Sequence, residues 1–521
     1  MAVQVFVQAN NVLAFFSIAA AVFLLQKILF TPGTKYHYPP GPKGIPVFGN
    51  LFQMPQKYPG PRLMEWAKEY GDMFTLKLGS RKWVFLNSTE AVRDLLDRRG
   101  RLYISRPVFA ITQDIAFGGK RVVLMGYTET WRNLRKVMHQ LLMASNQETY
   151  KPFQDVESKT MVWQFLKSPE RFYEHAARYS NYDLLMDVVF GRRTSMQEEN
   201  TRLLFSTSED FLSSQATPST TLAEQFPGFV KALPKPLQWF RPNAERIYKK
   251  TFGVYTAFLN ELAQRVKDGQ DPQCFARGLT DVAEKYGFDE TQKAFCVGTI
   301  IEAGSDTTRN QVIILIATAA KFPEWVATVR RELDKVCGDA ERLPTFDDWN
   351  ELPYMIAVIK ESLRWRSNLT VPGVPRTLIE DDEYRGFKFE KGTIFTFNNF
   401  AICHNEREFS QNEYFRPERH LNADLQDALK GHLGFGAGRR LCPGHHVAMR
   451  NMFITFSRLL YYFDFKEVPG APINDWEIEA MAHEKAPYEI QIIPRSEAHV
   501  RLIERECEQL TMELNELEKG K

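Results

Sequence analysis

The segment 435–444, Phe-Gly-Ala-Gly-Arg-Arg-Leu-Cys-Pro-Gly, constrains this chain more than any other. Its glycines let the backbone turn tightly and come close to a flat partner where a Cβ would collide. They fix one cysteine, Cys442, between Arg440 and Pro443. A cysteine that acts as a ligand must ionise, and its thiolate is stabilised by backbone N–H donors and nearby positive charge. The apolar run from 447 to 463 reads as a helix, which sets a positive helix N-terminus beside the sulfur. Arg440 is suited to pairing with a carboxylate. A cysteine in a glycine-rich turn can also be a small core residue. Phe435, Gly438, Arg440, Cys442 and Gly444, all present at F-x-x-G-x-R-x-C-x-G spacing, argue against that reading.

Further motifs precede this segment or lie between it and the middle of the chain. Trp131-Arg132-Asn133-Leu134-Arg135 puts an indole and a guanidinium four residues apart, on one helix face. Ala303-Gly304-Ser305-Asp306-Thr307-Thr308 sits within a long apolar helical stretch from about 296 to 320. Glu361-Ser362-Leu363-Arg364 sets a carboxylate and a guanidinium one turn apart, and Phe415-Arg416-Pro417-Glu418-Arg419-His420 adds a second arginine. Each is ordinary alone: an i,i+3 pair is worth about 0.2–0.5 kcal/mol, and Asp-Thr-Thr could be any polar helix face. In this order, and with the cysteine segment, they resemble the cytochrome P-450 family.

The resemblance implies a haem b cofactor (iron protoporphyrin IX) with Cys442 as its axial thiolate ligand and metal-binding residue. Phe435, Gly436 and Gly444 would lie against the porphyrin. Trp131, Arg135, Arg376 and Arg440 would bind its propionates, Arg376 standing after Val374-Pro375 where the family has His or Arg. Small residues at Ala303 and Gly304 would leave room for oxygen and substrate. Asp306 and Thr307 would be the catalytic acid–alcohol pair that delivers protons. Glu361, Arg364 and Arg419 would form a structural cluster that locks the cysteine loop, and losing any of them should abolish haem incorporation.

At 521 residues the chain is longer than a usual single domain. No Gly/Ser-rich linker, repeat or charge block divides 39–495, however, and the motifs spread over that span must meet at one cofactor. Hydrophobic residues make up 44%, enough for a large core. Helical periodicity dominates, as at Trp325, Val329, Leu333 and Val336, while Phe74, Leu76 and Leu78 alternate as a strand before Gly79-Ser80 and Trp83-Val84-Phe85-Leu86. The expected fold is mainly α (α+β): one large haem domain with small β-sheets at 39–495, a membrane anchor and linker at 1–38, and an amphipathic tail at 496–521.

Residues 12 to 25 are apolar but for Ser17, and 28 to 30 extend the run past Lys27. With Lys27 snorkelling this reads as a single transmembrane helix of roughly twenty residues. A basic region typical of a cleaved signal is missing ahead of it. Lys27, Lys35 and Lys43 follow the run and place the catalytic domain in the cytosol. Pro39-Pro40-Gly41-Pro42 then separates anchor from body. The arrangement resembles microsomal family members on the endoplasmic reticulum, which use O2 and take NADPH electrons from a separate NADPH-cytochrome reductase, with cytochrome b5 as an optional second donor. No flavin or iron–sulfur segment follows the haem region, so such a partner is expected. The net charge of +2 gives no case for nucleic acid. Cysteines at 274, 296, 337, 403, 442 and 507 lack C-x-x-C spacing, which excludes a zinc ribbon and fits a reducing compartment.

Between 226 and 240, Phe226, Phe229, Leu237, Trp239 and Phe240 mingle with Lys231 and Lys235 among prolines. This reads equally as a second contact with membrane lipid or as a surface loop with one apolar side. In the tail, Val500, Ile503, Cys507, Leu510, Leu514 and Leu517 repeat at three and four residues among glutamates. The pattern is too short for a reliable coiled coil and favours an amphipathic helix, lying on its own domain or fraying in solvent, over self-association. By resemblance, Phe109, Ile111, Ile115, Phe117, Leu369 and Val371 would line an apolar cavity, with further walls at 205–245, 300–308 and 481–485, for a lipophilic small molecule. The overall texture resembles ascomycete members of secondary metabolism. The same chemistry allows hydroxylation, phenol coupling, desaturation or ring closure. A membrane-bound haem sensor or carrier is the alternative of another class, and it has no use for Asp306 and Thr307.

Overall fold

The computed structural model describes residues 35–55, 58–216, 218–366, 373–478 and 485–519. The expected membrane segment, together with Leu369 and Val371, lies outside the described residues. Among those described, no single helix is long and apolar enough to cross a membrane.

The helices of ten or more residues are α1 (Pro59–Tyr70), α2 (Glu129–Leu142), α3 (Gln147–Lys167), α4 (Glu199–Ala216), α5 (Arg241–Lys267), α6 (Phe275–Tyr286), α7 (Glu290–Lys321), α8 (Pro323–Cys337), α9 (Pro353–Trp365), α10 (His445–Tyr462) and α11 (Glu497–Lys519). The strands are β1 (Met73–Leu78), β2 (Arg81–Leu86), β3 (Arg376–Thr377), β4 (Asp382–Tyr384), β5 (Phe387–Phe389), β6 (Ile394–Phe397), β7 (Phe463–Glu467) and β8 (Ile490–Pro494).

β1 and β2 form the hairpin expected from the Phe74, Leu76, Leu78 alternation, Phe74 pairing with Phe85. β2 runs parallel to β6, and β3 closes the sheet antiparallel to β6 with Arg376 opposite Phe395, in the order β1-β2-β6-β3. That pairing gives Arg376 a fixed place in a sheet. β4–β5 and β7–β8 are separate two-stranded hairpins.

The core gathers around α7, the longest helix. It starts at a capping box in which Asp289 accepts the Gln292 N–H at 2.6 Å and Gln292 accepts the Asp289 N–H at 2.9 Å. Every residue from 294 to 301 and from 309 to 319 is buried. Such all-round burial marks a helix with protein on all sides. α5 packs along it, and α10 packs on both α7 and α3. On α8, Trp325, Val329 and Leu333 face inward as expected, while Cys337 takes the last buried position and Val336 is only half-buried.

Candidate functional site

The cysteine loop is built from backbone constraints. The Cys442 N–H donates to the Phe435 carbonyl at 3.0 Å, closing the loop on itself. Gly436 (φ +78°) and Gly438 (φ +57°) sit in the left-handed region, and a Cβ on Gly438 would run into the Leu96 carbonyl. Gly444 is different: its φ is −91° and an added Cβ would come no closer than 4.0 Å to Leu142, so no described residue demands glycine there. Its N–H bonds the Cys442 sulfur. α10 begins at His445, two residues before the apolar run does, which brings its N-terminus closer to the sulfur than expected. Burial pushes the Cys442 thiol up, against the Gly444 amide and the Arg135 charge. A bound cation reverses that balance.

Beside the loop stand arginines that form no ion pair among the described residues. Arg135 donates to the Leu441 carbonyl and meets His139 at 3.2 Å, yet its Nε has no hydrogen-bond partner. Arg376 donates to the Ala437 carbonyl while its Nε and Nη1 are buried and unpartnered. Arg440 donates to Ile104 O at 2.8 Å and Met125 O at 2.9 Å, leaving Nη1 unpartnered. Its guanidinium lies 3.6 Å over the Trp131 ring, and Arg135 lies 5.9 Å over the same ring. Burial first, then mutual repulsion, pushes Arg440 down to about 9. Burial and Arg135 push Arg376 down to about 10, with Asp97 pulling the other way. Buried donors and excess positive charge require an anion. The carboxylates of haem fit that demand, with Arg135, Arg376 and Arg440 to hold them and Cys442 to ligate the metal.

Between the buried stretches 294–301 and 309–319, α7 carries one turn at which Ala303 and Thr307 are exposed. The Thr307 hydroxyl donates to the Ala303 carbonyl at 2.7 Å. Asp306 does not share this face, because adjacent helix residues point about 100° apart. It is buried with its carboxylate 3.1 Å from Arg309, whose guanidinium stacks over Tyr173. Thr307 therefore stands at the exposed turn, while Asp306 is buried in an ion pair with Arg309. A Cβ on Gly304 would come within 2.8 Å of a Leu185 methyl, so glycine there also admits that side chain.

Glu361 is fully buried on α9. It accepts from Arg364 at 2.8 and 2.9 Å and from Arg419 at 3.1 Å. The sequence did not mark two further donors, the Arg416 N–H at 2.9 Å and His420 at 3.0 Å. Arg364 also donates to the Cys403 carbonyl at 2.8 Å. Burial would raise the Glu361 pKa, but Arg364, then His420, outweigh it and hold it at about 2.

Arg106 was missed as well. It is buried among Arg440, Arg376 and Arg135 and donates to the carbonyls of Val123, Val374 and Pro375 at 2.6–2.9 Å. It ties the loop before α2 to the segment that carries Arg376, and nothing in Ser-Arg-Pro advertised it. Of the expected cavity wall, Ile111 and Phe117 are core residues at 3% and 1% exposure, whereas Phe109 and Ile115 are half-buried.

The family model described as cytochrome P-450 matches residues 39–492. The monooxygenase fogE of Aspergillus ruber is 31% identical over 96% of this chain and 94% of its own. The monooxygenase virE of Hypocrea virens is 32% identical over 95% and 92%. Both are named cytochrome P-450 monooxygenases. A solved zebrafish cytochrome P-450, with abiraterone, superposes with a TM-score of 0.67 at 20% identity, covering 84% of this chain and all of that one. With the cysteine loop, its anion-seeking arginines and the open turn of α7 in one fold, the chain belongs to the cytochrome P-450 family and is a haem-dependent, oxygen-incorporating oxidoreductase.

Proposed function

We propose that this protein is a haem-thiolate monooxygenase that inserts one oxygen atom into a lipophilic small molecule of fungal secondary metabolism. The observation that carries it is the set of buried, unpartnered nitrogens on Arg135, Arg376 and Arg440 beside Cys442. Haem b, when bound there, supplies the redox chemistry that activates molecular oxygen. The residues do the rest. Cys442 ligates the metal, Arg135, Arg376 and Arg440 neutralise the propionates, and Trp131 supports the two guanidiniums stacked on it. The Glu361–Arg364–Arg419 cluster holds the segments that frame the cysteine loop. Thr307 Oγ1 is the exposed hydroxyl that passes protons toward the reacting oxygen, and Asp306 joins that relay only by leaving Arg309.

Electrons come from NADPH through a separate reductase, with cytochrome b5 as a second donor. The protein sits on the cytosolic face of the endoplasmic reticulum through its N-terminal apolar segment. Exposed Phe52 (66%) and Leu237 (61%) support a membrane-facing side. They are linked through the Phe48–Phe226 ring contact at 6.0 Å and the Ser80 N–H to Gln225 O bond at 3.2 Å.

The test is reconstitution with the reductase and NADPH, together with mass spectrometry of host metabolites with and without the gene. The expected result is a Soret band that shifts to the red on reduction under carbon monoxide, and a product one oxygen heavier than an accumulating precursor. No such shift overturns the haem-thiolate reading. A product lighter by two hydrogens, or of doubled mass, overturns oxygen insertion in favour of desaturation, ring closure or coupling. In Thr307→Ala, product formation should fall by roughly 100-fold with substrate binding little changed, the electrons appearing as hydrogen peroxide. Unchanged product yield would remove Thr307 from the relay.

A further inference from the structure

The turn of α7 that carries Ala303 is tied to two other elements through a carboxylate that the proposed reaction does not use. Glu302 Oε2 lies 2.7 Å from Arg121 Nε, with the two side chains only 10% and 13% exposed. The Tyr255 hydroxyl, from α5, donates to the other Glu302 oxygen at 2.8 Å. Arg121 belongs to the loop before α2, and its guanidinium lies 4.7 Å over the Phe117 ring. One turn earlier on α7, the Val122 N–H meets the Thr299 hydroxyl at 3.4 Å. Gly298 admits this arrangement, since a Cβ there would run into the Tyr255 ring. The loop, α7 and α5 therefore converge on one acid, one residue before Ala303.

A carboxylate this deeply placed is stable only while paired. Arg121 supplies its counter-charge and Tyr255 its hydrogen bond. Burial and the neighbouring acid raise the Tyr255 phenol well above its ordinary pKa, so it stays a donor. Arg121 also bridges in the other direction, to Phe117, which packs edge-on against Phe295 of α7 with ring centroids 6.2 Å apart.

We infer that Arg121, Glu302 and Tyr255 are positioning residues: they seat the 117–125 loop on α7, and so determine how tightly the space beside Ala303 and Thr307 is closed around a substrate. The inference rests on reading that space as the oxygen-activating side of a haem monooxygenase. With the loop unseated, water reaches the space and the substrate is held less firmly.

The experiment uses the full-length holoprotein and needs no substrate. Hydrogen exchange is followed by mass spectrometry, and carbon monoxide, as the probe, is rebound after photolysis of the reduced protein. In Arg121→Gln, exchange across 117–125 should quicken about tenfold, which corresponds to about 1.4 kcal/mol of local opening. Carbon monoxide should rebind faster at unchanged haem content. Glu302→Gln should behave alike, Tyr255→Phe should shift both readouts less, and Arg121→Lys should restore them. Wild-type rates in Arg121→Gln would overturn the inference. So would exchange that quickens throughout the domain, or an Arg121→Lys protein no better than Arg121→Gln, since either would make the pair general scaffold. A wild type that binds no carbon monoxide would overturn the functional reading instead, with the exchange readout still deciding the tether.

Discussion

Arg376 carries its charge at 3% exposure, with two of its nitrogens unpartnered, a state that costs free energy unless an anion arrives. Replacing it with methionine should therefore act oppositely on two forms of the protein. Arg376→Met should weaken haem retention by about 1.5–3 kcal/mol, the worth of a charge-assisted hydrogen bond. The haem-free protein should be equally stable or more so. Haem transfer to an apo-globin scavenger and urea unfolding of the haem-free form would separate these effects. A destabilised haem-free protein with normal retention would make Arg376 a scaffold residue. At this scale the sequence was most legible where chemistry and backbone geometry coincide. Gly438 must be glycine because of both its φ and the Leu96 carbonyl, and it stands in a recognisable string. Arg106 obeys no such pattern: it is recruited by carbonyls 17 and 268 or more residues away, and only folding brings those together.

Among elements, α9 and the 416–420 segment are joined at Glu361, and the joint has a definite response to pH. Burial opposes ionisation of Glu361, but Arg364 and His420 outweigh it and hold the folded pKa at about 2, below the ordinary value of 4.5. A depressed carboxylate contributes stability above the unfolded pKa and loses it as pH falls toward about 2. His420 is depressed by burial, with Glu361 pulling upward. The unfolded chain then takes up that proton first, so stability also falls as pH drops below about 6.5. Both act in the same direction. His420→Gln should flatten the part of the stability–pH curve just below about 6.5 and leave the part below about 4.5. Glu361→Gln, which strands the buried Arg364 guanidinium and the half-buried one of Arg419, should cost about 3–5 kcal/mol and abolish haem incorporation. Urea midpoints from pH 7 down to about 2.5 would check both, and an unchanged slope in His420→Gln would remove the histidine from the joint. E-x-x-R was legible in the sequence only as a weak pair; its strength comes from burial, which spacing does not encode. Asp306 and Thr307 were legible as a string, but not which side of the helix each takes. Helix geometry sends neighbours to different faces, so Asp306 meets Arg309 while Thr307 reaches the exposed turn.

For the whole molecule, the heptad-like tail forms α11, and it packs on α3. Leu502, Ile503 and Cys507 are buried there, and His499 stands against the rings of Tyr461 and Tyr462 with centroids 5.0 and 6.2 Å apart. Arg505 donates to the Glu341 carbonyl at 3.1 Å, and Lys167 of α3 meets Glu504 at 3.4 Å. The repeat of apolar residues was visible in the sequence; the surface that receives it was not, because α3 has no strongly amphipathic pattern of its own. α3 also carries α10, which starts at the cysteine loop, so the tail supports the site through two layers of packing. Ending the chain after Arg495 removes two aliphatic side chains that are almost wholly buried, which should destabilise the domain by about 3–6 kcal/mol. The face of α3 left bare should then drive aggregation. A helix that served only as a seam between copies would respond differently: truncation would leave the urea midpoint unchanged and turn a concentration-dependent dimer into a monomer. Leu502→Asp gives the same choice with one residue. A lower midpoint at constant monomer mass assigns the helix to its own domain, and a constant midpoint with a lost dimer assigns it to a partner copy.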